Sequence, residues 1–329
     1  MRINKKVIFL LLFFMVLASS LLLIKEGGKK EVYIYDIAVI IRGENNEEWT
    51  NIKAGMDQAS LEMNVNLRFI SLLEENNIEE QKDYLQKEIN SGTDAIIISP
   101  ADYTELSELI ESINKRIPVV LFDSKIDTKQ NIPYISSDNY ELGQKLAEEV
   151  VRNGNTRNHI LIAKSNFNFS SANERYNGFI DEINKSKNTY KVIELPKDDS
   201  NLYSEIKDVI EGNDIEVLVA FEPTILEAIG KAKKQLINST NVDYETEVYG
   251  IGRTSTIISL TEENIIDSIV IQNEFNVGYL CVKTAVYKLE KKILDNKILD
   301  NKINIESTII NSKNMYSEDN QKILFPIVR

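Results

Sequence analysis

The chain has one cysteine, one histidine and one tryptophan among its 329 residues. The lone Cys281 excludes an internal disulfide and a cysteine-based metal cluster. The lone His159 excludes most histidine-dependent catalysis and most transition-metal sites. We therefore expect no metal site.

The chain also has a shortage of positive charge, with 38 lysines and arginines against 51 aspartates and glutamates, a net charge of −13. Nucleic-acid binding depends on cationic contacts to phosphates, so we expect no nucleic-acid partner. The segment GIGRTS (250–255) resembles part of a dinucleotide fingerprint, but Ser255 stands where the third glycine belongs. We therefore expect no cofactor.

The N-terminus combines a basic start, MRINKK, with an uncharged apolar run over residues 7–24. The small residues of a signal-peptide cleavage site, Ala18-Ser19-Ser20, fall inside this run rather than after it. We therefore predict that residues 1–31 form an uncleaved membrane-spanning helix, with a cleaved signal peptide as the alternative. Large domains are exported largely regardless of flanking charges, which favours the extracytoplasmic face of the cell membrane.

From residue 36 onward, short apolar strand-like runs alternate with amphipathic helical patterns. The predicted strands cover 37–41, 66–71, 95–99, 118–122, 134–138, 159–163, 190–195, 216–221, 248–252 and 268–272. Continuous apolar strands separated by helices are typical of parallel sheets that are covered on both faces. Two such series, each of domain length, predict two doubly wound α/β lobes.

Polar residues follow several of these strands. They are Arg42, Asn46 and Trp49 after the first strand, then Asp123, Glu222, Arg253 and Gln272 after later strands, with Arg175 near a helix start. Ligands bind in such sheets beyond the carboxyl ends of the strands. Planar polar groups with an aromatic ring suit a sugar, because amides and charges bind hydroxyls while rings pack on C–H faces.

The order of several segments resembles the periplasmic sugar-binding proteins of the ribose, galactose and xylose type. The segments are NNEEW with IKAGMDQAS, SGTDAIIISPAD, IPVVLFDSKID, YISSDNYELGQKLAEE, SSANERYNGF and SIVIQNEFNVGYLCVKTAV. The resemblance implies that the two lobes close over one ligand around chain crossings near Asp138, near Gln272 and near 312–322. It places the first lobe at 34–137 plus 273–312 and the second at 138–272 plus 320–329.

The resemblance also implies roles for individual residues. It makes Asn46 and Trp49 ligand contacts of the first lobe, Asp123 a sugar-hydroxyl acceptor, and Arg175 and Gln272 contacts of the second lobe and last crossing. Glu222 and Gly252 depart from the family pattern, where asparagine and aspartate stand. An arginine-centred site built on Arg42, Arg175 and Arg253 is then a further possibility, and it would suit an acidic sugar or another anion.

Each candidate residue also has an ordinary structural interpretation. These are core packing for Trp49, an ion pair with Glu47 or Glu48 for Arg42, a turn position for Asp123, a helix-surface ion pair with Asp181 or Glu182 for Arg175, helix capping for Glu222, ladder-edge hydrogen bonding for Gln272 and loop exposure for Arg253.

Three classes of function compete. A glycosidase would need a carboxylate pair such as Asp123 and Glu222, but no nucleophile–base constellation appears, so we expect no enzyme. The lactose-repressor family shares these lobes behind a DNA-binding segment, which the apolar run replaces here. We therefore predict a binding protein for a small sugar, with a pentose such as xylose as first choice. Closure would signal to a membrane partner such as a histidine kinase, or alternatively deliver sugar to an ABC permease.

Overall fold

The computed structural model describes residues 9–10, 13–17, 33–44, 46–165, 168–195, 199–212, 215–240, 245–290 and 302–325. The chain divides into two compact units, Met1–Ile34 and Tyr35–Arg329. Both sheets of the structure lie within the second unit.

The N-terminal unit contains helical residues at 9–10 and 13–17. A helix needs roughly 20 apolar residues to cross the hydrocarbon core of a bilayer. Across the described residues, no helix has the length and apolar character that such a crossing requires. The structure thus contradicts the prediction of a single N-terminal transmembrane anchor. The other residues of the predicted segment 1–31 lie outside the described ranges.

Six strands form the sheet of the first lobe. They are β1 (Asp36–Ile40), β2 (Asn66–Ile70), β3 (Ala95–Ile98), β4 (Val119–Phe122), β5 (Tyr134–Ser137) and β11 (Lys302–Ile305). Their order is β11-β5-β4-β3-β1-β2, and all neighbouring strands are parallel. The helices are α1 (Thr50–Met63), α2 (Ile78–Ser91), α3 (Ser107–Asn114) and α9 (Glu274–Leu289).

The second lobe repeats this arrangement. Its strands are β6 (His159–Ser165), β7 (Thr189–Leu195), β8 (Val217–Ala220), β9 (Glu247–Ile251), β10 (Ser268–Gln272) and β12 (Ser307–Ile310). The order is β12-β10-β9-β8-β6-β7, with only β12 antiparallel to its neighbour among the described strands. The helices are α4 (Asn139–Arg152), α5 (Ser170–Ile183), α6 (Asp199–Gly212), α7 (Pro223–Thr240), α8 (Ser255–Glu262) and α10 (Glu318–Leu324).

Each sheet is covered by apolar side chains on both faces. In the central strand β1, residues Ile37–Ile40 are fully buried, and the even and odd positions enter separate cores on the two faces. The second sheet likewise separates two cores. This burial explains why its strands read as continuous apolar runs, and it confirms the prediction of two α/β lobes with parallel sheets.

The chain passes between the two sheets three times. The first two passages follow β5 and β10, at Asp138 and Asn273, and both side chains cap the helix that begins there by accepting from a backbone N–H. The third passage lies at Glu306, between β11 and β12, earlier than the predicted range 312–322. The sequence reading missed these two strands because a single run, KINIESTII, supplies one strand to each sheet. The residue ranges assigned to the lobes stay a prediction.

Helices α4 and α5 approach each other unusually closely. A Cβ atom on Gly143 would lie 1.9 Å from the carbonyl oxygen of Arg175, and one on Gly178 would lie 2.0 Å from that of Tyr140. Only glycine permits this backbone contact. The contact fixes the position of α5, which carries Arg175.

Candidate functional site

A small cavity lies where the carboxyl ends of strands from both sheets face each other. Its volume is about 30 Å³, which exceeds the roughly 10–15 Å³ that one water molecule needs. The charged, amide and aromatic side chains that line it are Glu48, Trp49, Asp123, Arg175, Arg253, Gln272 and Glu274. Five of the eight predicted site residues are therefore brought together, and their roles in ligand binding stay predictions.

Arg42 lies beside this cavity and is buried among carboxylates. Its guanidinium donates to Asp123 at 2.9 Å, to Glu48 at 3.1 Å and to Glu75 at 3.3 Å. The same group lies 4.2 Å from the ring centroid of Phe169, which belongs to the second lobe. Burial acts to lower the pKa of Arg42, but the attraction of the three carboxylates outweighs it and raises that pKa. Arg42 is thus fully charged and held by protein groups.

Asp123 connects the two lobes. Its Oδ2 accepts from Arg42 and, at 3.2 Å, from the Ser99 hydroxyl, while its Oδ1 lies 3.9 Å from Nη2 of Arg175. Its φ of +58° is in the left-handed region, which a non-glycine residue adopts at a cost. Strain of this kind is common at functional sites, where the surrounding structure holds it in place.

Arg175 is buried in the second lobe, and its side chain is not paired on the helix surface. Its Nε donates to Asn139 at 2.9 Å and its Nη1 donates to the carbonyl of Phe221 at 3.0 Å. Asp181 instead accepts from Tyr140. These fixed contacts direct Arg175 toward Asp123 and the cavity.

Trp49 belongs to the core and also borders the cavity. Its side chain is 2% exposed, and its ring meets that of Phe122 edge to face at a centroid distance of 6.0 Å. The same ring lies near the Arg42 guanidinium, 5.2 Å from centroid to Cζ. Core packing and a ligand contact are compatible, because the cavity reaches one side of this residue.

Arg253 and Gln272 carry atoms that lack hydrogen-bond partners. Arg253 is buried rather than exposed in a loop, and it contacts Glu274 at 3.4 Å and the carbonyl of Leu324. Within the described part of the chain, neither Nε of Arg253 nor Oε1 of Gln272 has a partner. Burial lowers the pKa of Arg253, against the effect of Glu274. An unsatisfied buried donor and acceptor at one cavity indicate a place for a polar ligand.

Besides Arg42, two predicted residues lie outside the cavity lining. The Asn46 side chain is exposed and accepts from the Glu48 backbone N–H at 3.0 Å, capping the 3-10 turn Glu47–Trp49. The Glu222 carboxylate accepts from the backbone N–H of Ser165 at 2.9 Å and from its hydroxyl at 2.7 Å. Glu222 therefore ties the ends of β8 and β6 together through its side chain, and its backbone carbonyl accepts from the Leu226 N–H in α7.

The sequence reading missed two carboxylates of the cavity, Glu48 and Glu274. Burial raises the pKa of Glu48 to about 7, although Arg42 opposes it. Burial likewise raises the pKa of Glu274 to about 8, against the attraction of Arg253. Glu274 is the first residue of α9, a position where acidic residues are common. Glu48 stands in a polar stretch of sequence, so the sequence did not indicate that either side chain is buried.

The balance of charge around the cavity differs from the arginine-centred site considered above. Three arginines meet four carboxylates here, and each arginine is within 4 Å of at least one of them. A guanidinium whose charge is balanced by a nearby carboxylate offers less to an anion than one without such a partner. The arrangement therefore favours a ligand without negative charge.

Direct contacts between the lobes surround the cavity. Both oxygens of Glu47 accept from Ser255 at the start of α8, at 2.6 and 2.9 Å. On the other side, the hydroxyl oxygens of Ser124 and Ser171 lie 3.0 Å apart, and the Lys125 backbone N–H donates to Ser170 at 2.8 Å. These contacts join the two lobes on either side of the cavity.

Replacing Gln272 with leucine should weaken ligand binding by at least tenfold while leaving the free energy of unfolding unchanged or slightly higher. The reason is that Oε1 has no partner to lose within the described structure, and removing an unsatisfied buried acceptor carries no penalty. Calorimetric titration and urea unfolding would check both parts. Equal sugar affinity in variant and wild type would remove Gln272 from the site.

The raised pKa values of Glu48 and Glu274 predict a pH dependence of stability. For Glu274 the pKa rises from an ordinary 4.5 to about 8 in the folded chain, so the native state holds this proton more tightly. Its contribution to the free energy of unfolding is therefore lost as pH rises between these values, by no more than about 1.4 kcal/mol per pH unit. The difference between the urea midpoint of Glu274→Gln and that of the wild type should consequently shift in favour of the variant as the pH rises from 5 to 8. Parallel pH profiles would contradict the buried carboxyl.

Comparison with known proteins is consistent with this fold. A family model described as a periplasmic binding protein domain matches residues 37–293. The ribose import binding protein RbsB of Bacillus subtilis (strain 168) is 25% identical over 122 residues, which are 37% of this chain and 38% of that protein. The match thus spans less than two fifths of the relative's length.

Solved structures show the same architecture over nearly the whole chain. A carbohydrate transporter solute binding protein from Agrobacterium radiobacter, in complex with D-arabinose, aligns with a TM-score of 0.80 at 18% identity, covering 89% of this chain and 100% of that one. The XylFII-LytSN complex aligns with a TM-score of 0.74 at 20% identity, covering 85% and 99%. Since the family model covers most of the chain, this protein belongs to the periplasmic binding protein family.

Proposed function

We propose that the chain is an extracytoplasmic binding protein for a small sugar, and that its two lobes close over the ligand. The observation that carries this proposal is the cavity between the carboxyl ends of the two sheets, where Gln272 Oε1 and Arg253 Nε lack partners among the described residues beside the Trp49 ring. At about 30 Å³ the cavity is smaller than a sugar, so the two lobes must move apart for a sugar to enter. Sugar hydroxyls both donate and accept, so a sugar can supply a donor to Gln272 and an acceptor to Arg253.

A neutral pentose such as xylose is the first specific candidate. The pairing of every cavity arginine with a carboxylate supports a ligand without negative charge. The relative from Agrobacterium radiobacter was solved with D-arabinose, a pentose, and XylFII is among the similar structures. At about 20% identity these relatives support the fold, and they make the pentose a reasonable first ligand to test.

Two roles follow from ligand-driven closure. In the first, a membrane partner such as a histidine kinase recognises the closed lobes, which is supported by the existence of the XylFII-LytSN complex. In the second, the chain is the solute-binding component of a sugar ABC transporter, as the names of RbsB and the Agrobacterium radiobacter protein suggest. Cross-linking in native cells, with and without sugar, separates them according to whether a kinase or a permease is captured.

A catalytic role has weaker support. Asp123 is held by Arg42 and Ser99, and Glu222 is held by both donors of Ser165, so neither carboxylate is placed as a free acid or base. Both carboxylates instead fix the ends of strands around the cavity. The proposal is accordingly a binding protein without enzymatic activity.

Titration of the full chain with D-xylose, D-ribose, D-arabinose, D-glucose and D-galactose tests the proposal. We expect at least one sugar to bind with heat in the calorimeter and with a change in the fluorescence of Trp49, the only tryptophan. The ring borders the cavity, so an occupied cavity changes its surroundings. Absence of binding by all five would contradict a neutral sugar as the ligand, and absence of binding by any sugar would contradict the proposed function.

A further inference from the structure

The side chains that line the cavity include more carboxyl groups than guanidinium groups. Three carboxylates, those of Glu48, Asp123 and Glu274, face two guanidinium groups, those of Arg175 and Arg253. Arg42 and Glu75 lie just outside the cavity lining and pair with each other. Because one contributes a guanidinium and the other a carboxyl group, they do not change this difference. A buried surplus of negative charge is costly unless a cation or a proton compensates it.

The two cavity arginines already have protein partners. Arg175 donates to Asn139 and to the Phe221 carbonyl, and Arg253 donates to Glu274 and to the Leu324 carbonyl. The carboxylate of Glu274 has a less complete set of partners, Arg253 at 3.4 Å and the Asn51 amide at 3.2 Å, both on Oε2. Neither contact is short, so Glu274 has capacity to accept from a further donor.

The free acceptor of Gln272 lies at the same cavity, two residues before Glu274. Its Oε1 is buried without a donor in the described structure. An ammonium group donates three hydrogen bonds and accepts none. An ammonium group therefore suits the unpaired oxygen of Gln272, with the Glu274 carboxylate at the same cavity, better than a hydroxyl does. The free Nε of Arg253 needs an acceptor instead, such as a sugar oxygen.

The neighbouring opening carries negative charge as well. A larger cavity of about 440 Å³ includes Glu48 in its lining, together with Glu47, Glu227 and a single cation, Lys231. Lys231 is paired with Glu227 at 2.7 Å. Carboxylates on the approach attract cations and repel anions.

From this arrangement we propose that the cleft prefers sugars that carry a protonated amino group, with the ammonium bound between Glu274 and Gln272. The inference rests on the proposed function, because it specifies the class of sugar that the same cavity takes. A hydroxyl-only sugar still satisfies the polar atoms of the cavity, but the carboxyl groups then stay neutral by holding protons rather than by pairing with the ligand.

Binding of such a sugar is coupled to proton release. Burial raises the pKa values of Glu48 and Glu274 to about 7 and about 8, so both hold protons near neutral pH. An incoming ammonium takes the place of a proton, which leaves the carboxyl oxygen and passes to the buffer. The charged groups that act on these two carboxyls are Arg42, Glu75, Asp123, Arg175 and Arg253.

The test compares matched sugars by calorimetry at pH 6.5 on the full chain. D-glucosamine is paired with D-glucose and D-galactosamine with D-galactose, since each pair differs by one amino group in place of a hydroxyl. We expect at least one amino sugar to bind tenfold or more tightly than its neutral parent. Titration in buffers of different ionisation enthalpy should show proton release with the amino sugar and none with the parent.

Glu274→Gln and Glu48→Gln are the variants that locate the effect. Each should reduce the preference for the amino sugar to less than threefold, measured as the ratio of the affinities for the amino sugar and its neutral parent in the same variant. Two variants are used because either one alters a buried ion pair, and thermal melting shows which of them remains folded. Glu44→Gln, at an exposed position of the same loop, is the control and should keep the full preference.

The outcomes separate this inference from the proposed function. Neutral sugars that bind as tightly as their amino counterparts would overturn the preference and leave sugar binding in place. Binding of no sugar at all, neutral or amino, would overturn the proposed function itself. An amino-sugar preference that survives in both glutamine variants would overturn the assigned position of the ammonium.

Discussion

Replacing Arg42 with methionine is expected to lower the free energy of unfolding by about 3–5 kcal/mol. The substitution removes the guanidinium that contacts Asp123 at 2.9 Å, and it leaves Glu48 and Glu75 without the cation that pairs with both of them. Arg42 is 3% exposed, so water does not replace its hydrogen bonds. Breaking a buried pair by removing one member is costly, because the other charge stays buried and uncompensated. Urea unfolding at pH 7.5 measures the change.

Lys53→Met is the matched control for this experiment. Lys53 forms an ion pair of 2.7 Å with Asp57 on the surface of α1, where both side chains are well exposed. Exposed pairs of this kind contribute little, so we expect almost no change in stability. Equal losses for Arg42→Met and Lys53→Met would show that the carboxylate network around Arg42 has no special role.

Replacing Gly143 with alanine is expected to destabilise the protein by about 3 kcal/mol and to weaken sugar binding. The new Cβ would lie 1.9 Å from the carbonyl oxygen of Arg175, a backbone atom that cannot move unless α5 shifts. A shift of α5 displaces the guanidinium of Arg175 from Asp123 and from the cavity. Thermal melting and sugar titration of the same sample measure both effects.

Gly230→Ala separates this effect from general overpacking. Its Cβ would meet Leu260 Cδ1 at 2.7 Å, which is the end of a flexible side chain rather than backbone. We therefore expect a smaller loss of stability and unchanged sugar affinity. Sugar binding by Gly143→Ala at wild-type strength would contradict the role of the α4–α5 contact in positioning Arg175.

Local patterns predicted most of the fold. The central strands are buried on both faces, so their sequences are continuous apolar runs that stand out between amphipathic helices. Strands β11 and β12 were not predicted, because a short run with one residue between two sheets has no periodic signal of its own. The third passage was for that reason expected several residues too late.

The candidate site was predictable only in part. Placement after the strands identified Asp123, Arg253 and Gln272, which do line the cavity. The ion pair of Arg42 with Asp123, 81 residues away, and the burial of Glu48 and Glu274 depend on tertiary packing. Sequence alone showed three arginines without their partners, so an anion stood as an alternative to the neutral sugar. The carboxylates within 4 Å of each arginine weaken that alternative.

Closure of the two lobes over a sugar is the central claim, and cross-linking across the cleft tests it most directly. The double variant S124C/S171C places thiols where hydroxyl oxygens lie 3.0 Å apart between the lobes, and the natural Cys281 is fully buried. The rate of disulfide formation under mild oxidation is measured with and without the sugar that binds most tightly. We predict that the cross-link forms and that the sugar accelerates it. A rate that is the same with and without bound sugar would contradict closure as the response to ligand.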